Sequence, residues 1–171
     1  EAFIRLVTSD QPEVPAYFAY DAMLNRRERP TLTDVLHHVL MPLTLNDVLR
    51  QMNSGAQVVD VRDPEAFETA FLAGSINVGL QGNFATWAGT ILQRQQPIVL
   101  VAEPGCETEA AMRLGRIGYD HMTGYLDGGM QALALRPDLV RRTERLTAAT
   151  LAELLAAPQP PFVLDVRTVK E

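Results

Sequence analysis

From Leu43 onward the chain alternates between helically spaced apolar residues and short unbroken apolar runs. Leu45, Val48, Leu49 and Met52 fall at i, i+3, i+4 and i+7, Thr44 with Asp47 offers a capping box, and Gly55 offers a stop. The run Gln57-Val58-Val59-Asp60-Val61-Arg62 then predicts a short buried strand. Phe84, Trp87, Ala88, Ile91 and Leu92 share one face of a predicted helix over 84–92, expected to lie in the core, Trp87 having the border of a functional site as its alternative. Pro97-Ile98-Val99-Leu100-Val101-Ala102, closed by Glu103-Pro104-Gly105, reads as a strand buried on both sides. Helical spacing returns from Glu107, with Ala110, Ala111, Leu114 and Ile117 inward and Gly118 at the end. Tyr119 to Leu126 predicts another strand, and Asp127-Gly128-Gly129 a tight turn into a last helix around Met130 to Leu135. Such alternation predicts an α/β fold, a parallel sheet with helices on both faces.

The opening of this pattern occurs twice. Leu146 and Thr147 begin a second helical stretch leading to Phe162-Val163-Leu164-Asp165-Val166-Arg167, which parallels residues 57–62. The chain therefore divides into a complete unit at 42–137, a linker at 138–145 and the start of a second unit at 146–171, expected to be truncated and frayed. Arg136, Arg141, Arg142 and Arg145 with Pro137 mark the linker region. Residues 1–41 hold no copy of the repeat. Pro12, Pro15 and Pro30 break them into short helical pieces such as 16–25, read as the tail of a preceding domain.

Composition changes this picture little: of 171 residues, 47% are hydrophobic, 21% charged and 6% aromatic, as in ordinary folded chains. Charge narrows it more. With 15 Lys and Arg against 21 Asp and Glu the net charge is −6, a poor match for nucleic acid or an anionic membrane, so neither is expected as a partner. No apolar run approaches the roughly 18 residues of a membrane span. The single cysteine, Cys106, excludes a disulfide within the chain and fits a reducing, cytoplasmic location.

Asp60-Val61-Arg62-Asp63-Pro64-Glu65-Ala66-Phe67, Leu72-Ala73-Gly74-Ser75-Ile76-Asn77-Val78, the strand ending at Ala102 and Tyr125-Leu126-Asp127-Gly128-Gly129-Met130 resemble the rhodanese family in order and spacing. Asp165-Val166-Arg167 resembles the opening of a second rhodanese domain. Residues 1–32, with Phe3, Gln11-Pro12, Pro15, Tyr17-Phe18, Asn25 and Pro30, resemble the C-terminal helices of metallo-beta-lactamase-fold enzymes of the persulfide dioxygenase and glyoxalase II type. Together these resemblances imply part of a fusion protein in sulfur metabolism, its partners being the neighbouring domains of the same chain and, further, a second copy as a homodimer. No cofactor is expected within these residues; iron or zinc is implied in the upstream domain.

Rhodaneses carry sulfane sulfur on a cysteine that begins the loop after the central strand, usually Cys-Arg-x-Gly-x-Arg. The corresponding stretch here is Ala102-Glu103-Pro104-Gly105-Cys106-Glu107. The glycine matches, while the nucleophile position holds alanine and both arginine positions hold glutamate. Alanine has no atom to carry sulfur, and the glutamates, joined by Glu109, oppose the small preference of a helix N-terminus for an anion. The catalytic set is therefore expected to be empty, the loop Ala102, Glu103, Gly105, Cys106 and Glu107 being degenerate. Cys106 is the alternative nucleophile, although it occupies a variable position and is expected to face another part of the loop beside carboxylates that disfavour a thiolate. A phosphatase-type Cys and Arg pair fails on spacing, since six residues separate Cys106 from Arg113.

The resemblance assigns Asp60 and Arg62, with Asp127, Gly128 and Gly129, to structural roles. Phe71 follows Ala70 where rhodaneses often have histidine after glycine. His37, His38 and His121 lack the i, i+4 pairing that chelates a metal, and no His-x-His-x-Asp-His cluster is present, so no metal site is expected. The resulting expectation is a non-catalytic rhodanese-like module with a structural or recognition role; the alternative is a sulfurtransferase relaying persulfide through Cys106.

Overall fold

The computed structural model describes residues 1–9, 18, 22, 23, 26 and 40–167. The proline-broken stretch around 16–25, His37 and His38 thus lie almost wholly outside the described residues. At the start, α1 (Ala2–Thr8) carries Phe3, Ile4 and Val7 exposed.

The complete unit begins with β1 (Pro42–Leu43) and α2 (Leu45–Asn53). Thr44 and Asp47 form the expected capping box, with the Thr44 side chain accepting from the Asp47 amide and the Asp47 carboxylate accepting from the Thr44 amide. Then follow β2 (Gln57–Asp60), α3 (Pro64–Thr69), β3 (Phe71–Leu72), β4 (Ile76–Asn77) and α4 (Phe84–Ile91). After them come β5 (Ile98–Val101), α5 (Glu107–Arg116) and β6 (Met122–Leu126). The last helix expected at Met130 to Leu135 is a 3-10 helix, Gly129–Leu133, and Leu135 is exposed. Helix α3 has a legible start, Asp63 as N-cap accepting from the Glu65 amide and Pro64 at the first turn.

Five strands form a parallel sheet in the order β1-β6-β5-β2-β4. Central β2 and β5 are buried at every position, which explains the unbroken apolar run of β5; in β2 the buried Gln57 and Asp60 flank Val58 and Val59. Successive side chains leave opposite faces of a strand. Val59, Ile98 and Leu100 therefore join Phe84, Ala88, Ala110 and Leu114 on one face, while Val58, Val99 and Val101 join Val48, Leu72, Leu126 and Leu133 on the other. Gly124 admits β1 to the sheet edge: a Cβ there would stand 2.4 Å from the Met41 carbonyl oxygen.

Residues 138–145, expected as a linker, are fastened to the complete unit. A 3-10 turn, Pro137–Leu139, leads into β7 (Val140–Arg141), which pairs antiparallel with β3. The Thr143 amide donates to the Glu68 carbonyl at 2.9 Å, and Arg145 forks onto the Glu68 carboxylate at 2.7 and 2.9 Å. Beyond it α6 (Ala148–Leu155) has Thr147 as its cap, as α2 has Thr44. Residues 162–167 form no strand, and Phe162, Val163, Leu164 and Val166 are exposed.

Candidate functional site

The connections out of β2 and β5 run to opposite sides of the sheet, β2 leading to β4 at one edge and β5 to β6 on the other side. In an open parallel sheet, ligands bind outside the carboxyl ends of the strands at such a reversal. Here these ends carry Val61 and Arg62 after β2, Gly79 and Leu80 after β4, and the loop from Ala102 to Cys106 after β5.

Asp60 and Arg62 build the floor. Asp60 is fully buried and Arg62 is 7% exposed. The Arg62 amide and Nε each donate to Asp60 Oδ1 at 3.0 Å, Nη2 donates to Oδ2 at 2.7 Å, and Nη2 also reaches the Ala70 carbonyl at 2.8 Å. The pair therefore ties the end of β2 to the end of α3. Asn77 Nδ2 is 3.0 Å from the carbonyls of both Asp60 and Arg62, and the Val78 amide donates to Asp60, so β4 is locked to the same turn.

The loop after β5 begins at Ala102, which is buried. Its carbonyl lies where a Cβ on Gly129 would come within 2.9 Å, and Gly129 has φ +53°, so only glycine fits beneath the loop. The Cys106 amide donates to the Glu103 carbonyl at 3.0 Å, closing a turn. The Gly105 amide donates to Glu107 Oε2 at 2.8 Å. A carboxylate of the chain itself thus occupies a loop amide. Glu103 is exposed, and Glu109 sits 3.5 Å from Arg113. Asp127 is exposed, its amide donating to Leu43, and Gly128 takes φ +71° to turn the chain into the 3-10 helix.

Two hollows flank this loop. A small one of about 70 Å³ is bordered by Arg62, Ala102, Pro104, Gly128, Gly129 and Met130. A larger cleft of about 430 Å³ is lined by Val61, Arg62, Asp63, Pro64, Gly79, Leu80, Gln81, Asn83, Trp87, Glu103 and Cys106. Trp87, expected in the core with the border of the site as its alternative, takes the alternative: it is 57% exposed on the wall of this cleft, and Ile91 on the same helix is 44% exposed. Helix α4 buries a narrower stripe, Phe84 and Ala88, and Phe84 also carries the Arg113 guanidinium, whose carbon is 4.9 Å from the ring centre. Cys106, expected to face a different part of the loop from position 102, is half-buried at the N-cap of α5 and lines the larger cleft, whereas Ala102 borders the smaller hollow.

Sequence reasoning missed Leu80, Gln81 and Asn83. Gly79 was their available signal: a Cβ there would meet Pro64 Cδ at 3.2 Å and the Arg62 carbonyl at 3.3 Å, marking close approach of two loops. Among the described residues no three His, Cys, Asp or Glu side chains come together as a metal-holding group. No described helix is long and apolar enough to cross a membrane.

Comparison with known proteins adds the family. The model described as Rhodanese-like domain matches residues 44–135. No match was found among curated protein sequences. Among solved structures, the chain is similar to a metallo-beta-lactamase from Staphylococcus aureus subsp. aureus COL, with 28% identity and a TM-score of 0.55 over 73% of this chain and 34% of that one. It spans about a third of that protein. A rhodanese-like domain from Anabaena sp. aligns at 16% identity and TM-score 0.50, over 74% of this chain and 94% of that domain. Bacillus anthracis CoADR-RHD aligns at 20% identity and TM-score 0.50, over 63% of this chain and 19% of that one. The last two show likeness of fold.

Proposed function

The chain belongs to the rhodanese-like domain family, and we propose that its complete unit is a non-catalytic member with a structural or recognition role. The observation that carries this reading is the bond from the Gly105 amide to Glu107 Oε2 in a loop headed by Ala102. A sulfur-carrying loop needs a nucleophile at its head and amides turned to a thiolate or anionic substrate. This loop has a methyl group at its head, and an amide already engaged by a carboxylate. Asp60, Arg62, Gly128 and Gly129 keep the loop's framework in place, so the architecture persists without the reactive atom.

The likeness to the S. aureus metallo-beta-lactamase supports placing this unit inside a fusion protein of sulfur metabolism. In that arrangement a metal-dependent hydrolase or dioxygenase domain precedes residue 1 and holds the iron or zinc. The present unit packs against it and presents a second rhodanese domain that begins near residue 146; assembly of two copies is a further role.

A second reading, persulfide relay through Cys106, is favoured by one observation: the thiol lines the larger cleft at a helix N-cap. One assay separates the two. Sulfur transfer from thiosulfate or glutathione persulfide to cyanide, followed as thiocyanate, is expected not to exceed the protein-free rate. Turnover above that rate overturns the non-catalytic reading, and its loss in Cys106→Ala establishes the relay.

A further inference from the structure

Building on the reading of this unit as a recognition module, we infer that the larger cleft binds a small organic cation, met by the indole of Trp87 and the carboxylates of Glu103 and Asp63. The cleft lies outside the carboxyl ends of β2, β4 and β5, and its volume of about 430 Å³ suits a ligand of amino-acid size or somewhat larger.

Its charge selects the sign of the ligand. Among the lining residues only Arg62, Asp63 and Glu103 are charged. The Arg62 guanidinium is forked onto buried Asp60, so its positive charge is matched. Asp63 accepts from the neutral amide of Glu65 and forms no ion pair among the described residues, and Glu103 is exposed at the rim. Arg113, behind the Leu80 wall, donates to the Leu80 carbonyl, stacks on Phe84 and faces Glu109. Two carboxylates therefore remain in the cleft without a counter-charge from its walls.

Trp87 supplies the second element. More than half exposed, it lines the concave site, and its ring quadrupole attracts a cation placed over the ring. Asn83 adds a polar contact: although it is the N-cap of α4, its side chain makes no cap bond, and it lines the cleft. An anion has no comparable reception, because the Gly105 amide is engaged by Glu107 and the first turn of α5 carries Glu107 and Glu109.

Trp87 is the sole tryptophan, so its emission reports the site directly. The full chain is titrated with n-butylguanidinium, with its neutral isostere n-butylurea and with sulfate, and each titration is repeated by calorimetry. Saturable binding of n-butylguanidinium is expected, with n-butylurea weaker by at least about fivefold and sulfate inert. Glu103→Gln, at an exposed position, is expected to weaken the cation several-fold and to weaken n-butylurea less, so that the preference between the two narrows. Equal affinity for the two isosteres, preference for sulfate, or no saturable binding by either method overturns the inference. Sulfur transfer through Cys106 would remove the premise instead; this titration contains no sulfur donor, so the two fail separately.

Discussion

Asp60 with Arg62 and Asp165 with Arg167 are the same three-residue motif in two environments. Arg167 repeats each contact its counterpart makes with aspartate: amide and Nε to Asp165 Oδ1 at 3.0 Å, Nη2 to Oδ2 at 2.6 Å. The geometry is local, since one intervening residue places the guanidinium over the carboxylate. Its worth is not local. Asp60 is fully buried, whereas the Asp165 and Arg167 side chains are more than half exposed. Removing one member of a buried pair strands the other charge and costs about 3–5 kcal/mol, while exposed pairs are screened. Asp60→Asn is therefore expected to lower stability by about 3–5 kcal/mol in urea unfolding. Asp165→Asn is expected to leave the unfolding midpoint unchanged. Similar small effects for both substitutions would show that the buried pair does not anchor the site.

At the level of elements, the segment 138–145 shows how ordinary surface contacts make a strap. Pairing of β7 with β3 is only two residues long, and Arg145 with Glu68 closes its end. The Arg145 hydrogen bond is the largest influence on the Glu68 carboxyl and holds it below its ordinary value near 4.5. Asp138, bonded by Arg136, is lowered likewise. A carboxylate lowered in the folded state stabilises above its unfolded value and loses that contribution as pH falls through the folded value. The strap is thus expected to be fully engaged above about pH 4.5 and to loosen in more acid solution. Exchange of the Thr143 amide, which donates to Glu68, measures this against the core amides of β5. Loosening confined to neutral pH, or protection that persists in acid until β5 itself exchanges, would contradict the assignment. The same argument explains why the arginine-rich stretch read as linker: polarity was visible, but Glu68, distant in sequence, was its partner.

For the whole molecule, the apolar residues left outside are as informative as the core. Phe3, Ile4 and Val7 on α1, and Phe162, Leu164 and Val166 near the other end, are exposed, while the two faces of the central sheet are closed. Exposed apolar residues are common and also occur at Met41, Ile91 and Leu135, but those near the two ends lie where the fusion reading places neighbouring domains. The coding sequence on either side is expected to contain a metal-binding histidine cluster upstream and a Cys-Arg-x-Gly-x-Arg loop downstream, as sequencing outward will read. If neither is found, the fusion is wrong and the surfaces need another cover.

Periodicity and capping by themselves determined α2, α4, α5 and the runs of β2, β5 and β6, because each depends on residues within a turn or a strand of one another, whereas α3, β3 and β4 were not legible in that pattern. The Asp-x-Arg motif, the glycines at 128 and 129 and the altered loop from Ala102 to Glu107 were equally legible. Tertiary structure alone decided what those residues meet. It left Trp87 on the outer side of a helix whose Phe84 and Ala88 are buried, and it put Cys106, Asn83 and Asp63 around one cleft from three separate connections. It also separated the two copies. The run at 57–60 is a strand because β5 and β4 supply its hydrogen bonds, whereas the matching run near 163 pairs with no other strand among the described residues and stays irregular. A helix satisfies its own backbone within the segment; a strand is completed only by neighbours that the rest of the fold brings to it.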